Sequence, residues 1–233
     1  MVDGAGVMMV PPQVAEGIRS FSVWVIPLVL AITLHEAAHG IVAWRFGDDT
    51  AKRMGRVSLN PANHIDPFGT LLLPGMLLLM GGAMMFGWAK PVPVNFGRLK
   101  PPRLGMILVA AAGPGTNIAL AIISALLIYL VQFLPISGQT FALANLQNSV
   151  EINLVLAVFN LLPLPPLDGG RVLVGLLPRP WGTKLSQLER YSFFILLGGL
   201  FLLPMLGFRP FLWLVGLPAQ LLSGWVYHLT GLM

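Results

Sequence analysis

Apolar residues fall in long blocks along this chain, and short polar stretches separate them. Residues 22–46 form the first block, and a polar segment, DDTAKRMGRVSLNPANHID, follows it. A second block, 67–85, is rich in Leu and Met and runs into Gly81-Gly82. Residues 87–103 carry Pro, Val and Asn with no helical period, and the next block, 104–134, contains the internal sequence AAGPGTN. An uncharged loop is expected at 135–149, then a further apolar entry at 150–162 that leads into NLLPLPPLDGG. Residues 171–177 read as a short helix, and 178–190 as a basic, proline-containing connection. Two last apolar segments, 191–206 and 211–230, are split by Gly207 and Pro210.

A helix needs about 20 predominantly apolar residues to cross a bilayer. The pattern therefore predicts an all-α polytopic membrane protein with about six transmembrane segments. Residues 53–59 and 90–97 alternate with the period of a strand. They predict small membrane-embedded β-strand or hairpin elements. Such backbone is tolerated at membrane depth only where protein or a water-filled cavity satisfies it. The sequence contains no convincing internal repeat.

Composition agrees with the block pattern. The chain is 56% hydrophobic and 10% charged, with mean hydropathy +0.80, whereas soluble domains run near 25% charged. No polar stretch is long enough for a soluble domain, and residues 1–20 lack the features of a secretory signal peptide. The expected organisation is an N-terminal tail at 1–21, a core at 22–178 and C-terminal transmembrane segments at 179–233. The chain has no cysteine, which excludes disulfides and thiolate metal ligands.

Lys and Arg concentrate at 45–56, 98–103 and 171–190. The positive-inside rule places these connections in the cytoplasm and the N-terminus outside. Segment 67–86 then has both flanks on one side, which predicts that the GWAKPVPVN stretch returns through the membrane as a re-entrant element. The basic balance reads as topology and headgroup contact, and no motif suggests nucleic acid. Trp24, Trp44, Trp88, Trp181 and Trp225 read as interfacial anchors. The Met cluster at 76–85 reads as a packing or lipid-facing surface.

The chemistry begins at His35-Glu36-Ala37-Ala38-His39 inside the first apolar block. A charged side chain at the centre of a transmembrane helix costs about 2.5–3.5 kcal/mol on insertion scales, so such residues need partners. On a helix, His35 and His39 at i and i+4 share a face and can hold one metal ion. Glu36, one residue offset, is placed to hold an attacking water and act as general base. Catalytic zinc commonly takes a third protein ligand. Asp168 is one candidate, because it follows the helix-breaking LLPLPP and precedes Gly169-Gly170. It could instead cap a helix starting near Arg171. His64 and Asp66 form a weaker pair that could pack or cap the following segment, or act on the metal as an extra or regulatory ligand.

HEAAH in an early span and NLLPLPPLDGG in a later one resemble the site-2 protease family of intramembrane zinc metalloproteases. Asn160, Pro163, Pro166, Asp168 and Gly169 match its N-x-x-P-x-x-P-x-D-G motif, and AAGPGTN at 111–117 resembles a further element with Gly-Pro-x-x-Asn. The resemblance covers roughly residues 22–178. It implies one Zn2+ per chain held by His35, His39 and Asp168, with Glu36 as base and Asn160 helping to stabilise the oxyanion. It also implies a transmembrane protein or peptide as substrate, and a multi-pass protein of a prokaryotic cell membrane with its active site nearer the cytoplasmic side.

No appended PDZ domain fits in this chain. The segments 53–59 and 90–97 could instead pair with an unwound substrate strand, or plug the entrance to the site. Asn153 and Asn117 read as interhelical hydrogen-bonding residues, with Gly113 and Gly115 allowing close helix approach. The competing readings are a metal-ion transporter and a catalytically inactive scaffold. The first would need polar residues strung along a path, and the second would not need Glu36.

Overall fold

The computed structural model describes residues 12–72 and 90–232. Three long helices make its frame: α1 (Pro12–Arg45), then, after the single turn α2 (Thr50–Arg53), α3 (Pro102–Ile128) and α4 (Ile136–Asn160). Short helices α5 (Asp168–Leu176) and α6 (Arg179–Ser186) follow. Helix α7 (Glu189–Leu197) continues through a π-helical turn, Gly198–Leu202, and α8 (Leu217–Leu229) comes last. Helix α3 packs against α1, α4 and α5, and α4 also packs against α1 and α8.

Small side chains let these helices approach. One buried cluster joins Ala121, Ala125, Val150, Leu154, Ala219 and Val226. Gly175 of α5 faces Ile107 of α3, where an added Cβ would lie 2.5 Å from Ile107 Cγ1. Without a hydrophobic force between helices in lipid, such close packing carries the association.

Three helices are long and apolar enough to cross a membrane: Gly17–Arg45, Pro102–Ile128 and Ile136–Asn160. A fourth span is added if Arg179–Ser192 and Phe194–Met205, bent by 59°, count as one. This is a helical membrane protein, and the described residues supply three or four spans rather than the six expected. The bounds also change. The block expected at 104–134 ends as a helix at Ile128, and the expected loop at 135–149 is the first half of α4.

Uncharged polar residues disguised that helix. Asn145 Nδ2 donates to the Phe141 carbonyl at 2.9 Å within α4, and Asn148 Nδ2 donates to the Val23 carbonyl of α1 at 2.8 Å. Near the C-terminus, α8 has only 13 residues.

None of the described residues forms a strand, which corrects the β elements expected at 53–59 and 90–97. In Pro91-Val92-Pro93-Val94 the prolines carry no N–H, so alternate donors of a ladder are missing. Of the two remaining donors, that of Val92 goes to Glu36 Oε2 at 2.8 Å. The Lys90 and Pro91 carbonyls are taken by the buried Arg56 guanidinium. In the other segment, Gly55 turns the chain at φ +66°, its carbonyl accepts from Asn63, and the Ser58 carbonyl bonds the His64 ring. Both segments are extended or turning backbone whose polar groups are met by side chains and local turns.

The Lys90 N–H donates to the His64 carbonyl at 3.0 Å, so the two flanks of 67–89 meet at one end of the bundle. Of the stretch expected to be re-entrant, 87–95, only 90–95 is described, and the Met cluster and Trp88 lie outside the described residues.

Candidate metal centre

HEAAH lies in the C-terminal half of α1, where buried Ala31, Ala37 and Ala43 let α1 lie close to its neighbours. One turn separates His35 and His39, and their Nε2 atoms come within 3.0 Å. Asp168 reaches the same point from α5. That helix starts at Asp168 itself, with Leu167 at its N-cap and no side-chain cap. Asp168 therefore does not serve as the side-chain cap of a helix beginning near Arg171. The following glycines hold the turn closed, since a Cβ on Gly169 would lie 2.1 Å from the Leu161 carbonyl oxygen and one on Gly170 2.2 Å from Pro165 N. Any side chain there would push Asp168 away from α1.

Asp168 Oδ2 lies 3.3 Å from His35 Nε2 and 3.4 Å from His39 Nε2. All three residues are buried. On the far side of each ring, Nδ1–H donates to a fixed acceptor: His35 to Asn117 Oδ1 at 2.5 Å, and His39 to the Val109 carbonyl at 2.7 Å. Both Nε2 atoms thus present lone pairs, and they face the Asp168 oxygen, which has no hydrogen-bond partner. Three converging acceptors without a donor repel one another unless a cation lies among them.

Two further observations fit zinc. Tetrahedral ligands about 2.0–2.2 Å from the ion lie about 3.3–3.6 Å from one another, near the 3.0, 3.3 and 3.4 Å separations here. Gly113 of α3 also leaves the space open, because a Cβ there would sit 2.5 Å from His35 Nε2 and 2.5 Å from His39 Nε2. Among the described residues, His35, His39 and Asp168 form the group that could hold a metal ion, with ligand atoms within 4.8 Å of one another.

The remaining sequence candidates fall outside this group. Glu36 is half-buried beside it, its Oε2 held by Val92 N–H. Asn160 ends α4, and its Nδ2 donates to the Leu156 carbonyl at 3.0 Å. His64 is buried, with Nε2 on the Ser58 carbonyl at 2.9 Å. Asp66 Oδ1 accepts from Phe68 N and Gly69 N, at 3.0 and 2.6 Å, and so caps the turn Pro67–Leu72. The contacts of Val109, Gly113 and Val92 with the centre were not anticipated. A main-chain acceptor and a main-chain donor have no signature in residue type, and Gly113 reads as room for a neighbouring helix rather than for the two rings.

A family model described as peptidase family M50 matches residues 23–151 and 140–204. "Putative zinc metalloprotease YwhC" of Bacillus subtilis is 45% identical over 177 residues, covering 74% of this chain and 77% of that protein. "Putative zinc metalloprotease Rip2" of Mycobacterium tuberculosis strain H37Rv is 33% identical over 178 residues, 76% of this chain and 66% of the relative. "Zinc metalloprotease MJ0392" of Methanocaldococcus jannaschii is 29% identical over 162 residues, 70% of this chain and 36% of that longer protein. No solved structure matches the chain.

Proposed function

The chain belongs to peptidase family M50, and from that premise we propose that it is an intramembrane zinc metalloprotease of the site-2 type. It hydrolyses peptide bonds in or near the transmembrane segments of membrane proteins. One observation carries the reading: two buried imidazole lone pairs and an unpartnered carboxylate oxygen converge, beside Glu36, on a helix long enough to cross a bilayer. His35, His39 and Asp168 hold one zinc ion per chain. When bound, zinc supplies a Lewis acid and lowers the pKa of a neighbouring water to about 7.

The chain's own residues do the rest. Val92 N–H fixes one oxygen of Glu36, and a carboxylate has acceptor capacity to spare. Glu36 takes a proton from the attacking water and later returns it to the leaving amine. Asn160 spends one amide hydrogen on Leu156, which orients the group, and its second serves the oxyanion. His64 packs the 58–64 loop through Nε2 on the Ser58 carbonyl, and its buried Nδ1 has no hydrogen-bond partner among the described residues.

The substrate is a transmembrane protein or peptide, unwound locally because a helix encloses its amide bonds. The protein lies in a prokaryotic cell membrane, with the centre nearer the basic, cytoplasmic end. A transporter would need polar groups strung along a path, and a scaffold would not need Glu36, so neither alternative gains support.

The test is Asp168→Ala in purified protein, read by zinc content and by cleavage of a model transmembrane substrate. Zinc and cleavage should both be lost, while His64→Ala should keep the metal. Full zinc in Asp168→Ala, with loss in His64→Ala, would transfer the ligand role to His64.

A further inference from the structure

Beside the metal centre runs a chain of buried polar side chains, and we propose that it dictates which ring nitrogen of His35 carries the proton. The inference rests on His35 being a zinc ligand, and it makes Asn117 and Asn153 positioning residues for that ligand.

The argument starts at the end farthest from the centre. Asn153 Nδ2 lies 2.8 Å from the Ser149 main-chain carbonyl. A carbonyl oxygen can only accept, so the amide nitrogen of Asn153 must face it. The Asn153 amide oxygen then points the other way, 2.8 Å from Asn117 Nδ2, and Asn117 must donate to it. That turns the Asn117 oxygen toward His35, where it lies 2.5 Å from Nδ1. An acceptor at that position requires the proton on Nδ1, and Nε2 keeps its lone pair for the centre.

Each link thus has one allowed direction, and the direction is inherited from a main-chain atom whose polarity cannot reverse. Reversing any amide would set two oxygens or two N–H groups against each other. Asn117 is 0% and Asn153 1% exposed, so no water can repair such a mismatch.

His39 reaches the same tautomer by a direct route, with Nδ1–H on the Val109 carbonyl at 2.7 Å. Both metal-facing nitrogens are therefore set by main-chain carbonyls, one directly and one through two asparagines. Asn153 Nδ2 also lies 3.2 Å from Ser149 Oγ, which pairs with Ser124 Oγ at 2.8 Å, so Ser124 meets the relay only through a hydroxyl that can accept in either orientation.

Removing hydrogen-bond partners of metal-bound histidines weakens metal binding by about 10- to 100-fold. The experiment measures zinc affinity by chelator competition on the full purified chain. It also measures the His35 tautomer in metal-free protein from its 15N shifts. Asn117→Leu and Asn153→Leu are expected to lose about 10- to 100-fold in affinity and to show a mixture of His35 tautomers. Asn117→Asp keeps an acceptor against His35 but loses the donor to Asn153 Oδ1, so it is expected to keep the wild-type His35 tautomer where Asn117→Leu does not. Ser124→Ala is expected to change neither readout.

Wild-type affinity and an unchanged tautomer in Asn153→Leu would overturn the relay. So would the same mixture of His35 tautomers in Asn117→Asp and Asn117→Leu, a comparison that remains decisive if Asn153→Leu does not fold. Absence of zinc from the wild type would instead sink the protease reading, while the tautomer measurement would still decide the relay.

Discussion

At Gly113 a single methyl group would lie 2.5 Å from the Nε2 atoms of both histidines. The position shows how the centre is built as much by omission as by ligands. Gly113→Ala should therefore weaken zinc binding by about 10- to 100-fold, the scale of lost support around a metal, with α3 still helical. Zinc titration beside far-ultraviolet circular dichroism checks both halves, and undiminished affinity would show that the rings do not use this space.

The ligands themselves were legible to different degrees. His35 and His39 follow from i, i+4 spacing alone. Asp168 needed its proline–glycine context and the family resemblance, because an Asp at a helix start otherwise reads as a cap. Asn117 was visible as an intramembrane polar residue, but its partner was not. Which helix face meets which is a property of packing.

At the scale of elements, polar groups decided where the sequence misled. The glutamines and asparagines of 135–149 resemble a loop by composition, yet α4 absorbs them by bonding within itself and to α1. The β-like alternation of 90–97 failed because prolines remove ladder donors and side chains claim the remaining groups.

Asp48 is one of those side chains. It is 0% exposed, and it accepts from Thr50 Oγ at 2.5 Å and from Asn95 N at 2.6 Å, tying the end of α1 to the segment that touches Glu36. Burial pushes its carboxyl up. The hydrogen bonds from Thr50 and Asn95, with Arg98 nearby, outweigh that and hold it below the usual carboxylate range.

A depressed folded-state pKa contributes stability that is fully present above the unfolded value of about 3.9 and is lost as pH falls through the lower folded value. Asp48→Asn should accordingly be less stable than wild type at pH 7, and the gap should close on acidification below about pH 4. Thermal unfolding of both proteins against pH checks this. A gap that persists unchanged at the acid end would remove the ionised carboxylate from the explanation.

For the whole molecule, the basic connections meet. Arg98 Nη1 lies 3.2 Å from Asp49 Oδ1, Arg103 donates to the carbonyls of Gly175 and Leu177, and Arg171 lies over the Phe96 ring at 5.3 Å. Contacts among 45–56, 90–103 and 171–177 put these basic stretches at one end of the bundle, the same grouping that charge counting gave. What charge counting could not supply was the number of spans, because hydropathy does not separate a crossing helix from a short or bent one.

The chain has no cysteine, so single substitutions at Lys52, Lys100 and Lys184 report topology without background. All three should be labelled from the cytoplasmic side only. Labelling of position 100 from the outside would break the orientation.

Family membership makes the chain a metallopeptidase relative, and the convergence of His35, His39 and Asp168 beside Glu36 supports its being an active one. The most direct measurement follows zinc content and cleavage in one sample, comparing wild type with Glu36→Gln in lipid vesicles that carry a model transmembrane substrate. The account predicts one zinc in both proteins, and a cut within or beside the transmembrane segment by the wild type alone. Cleavage that survives in Glu36→Gln with zinc still bound would contradict it.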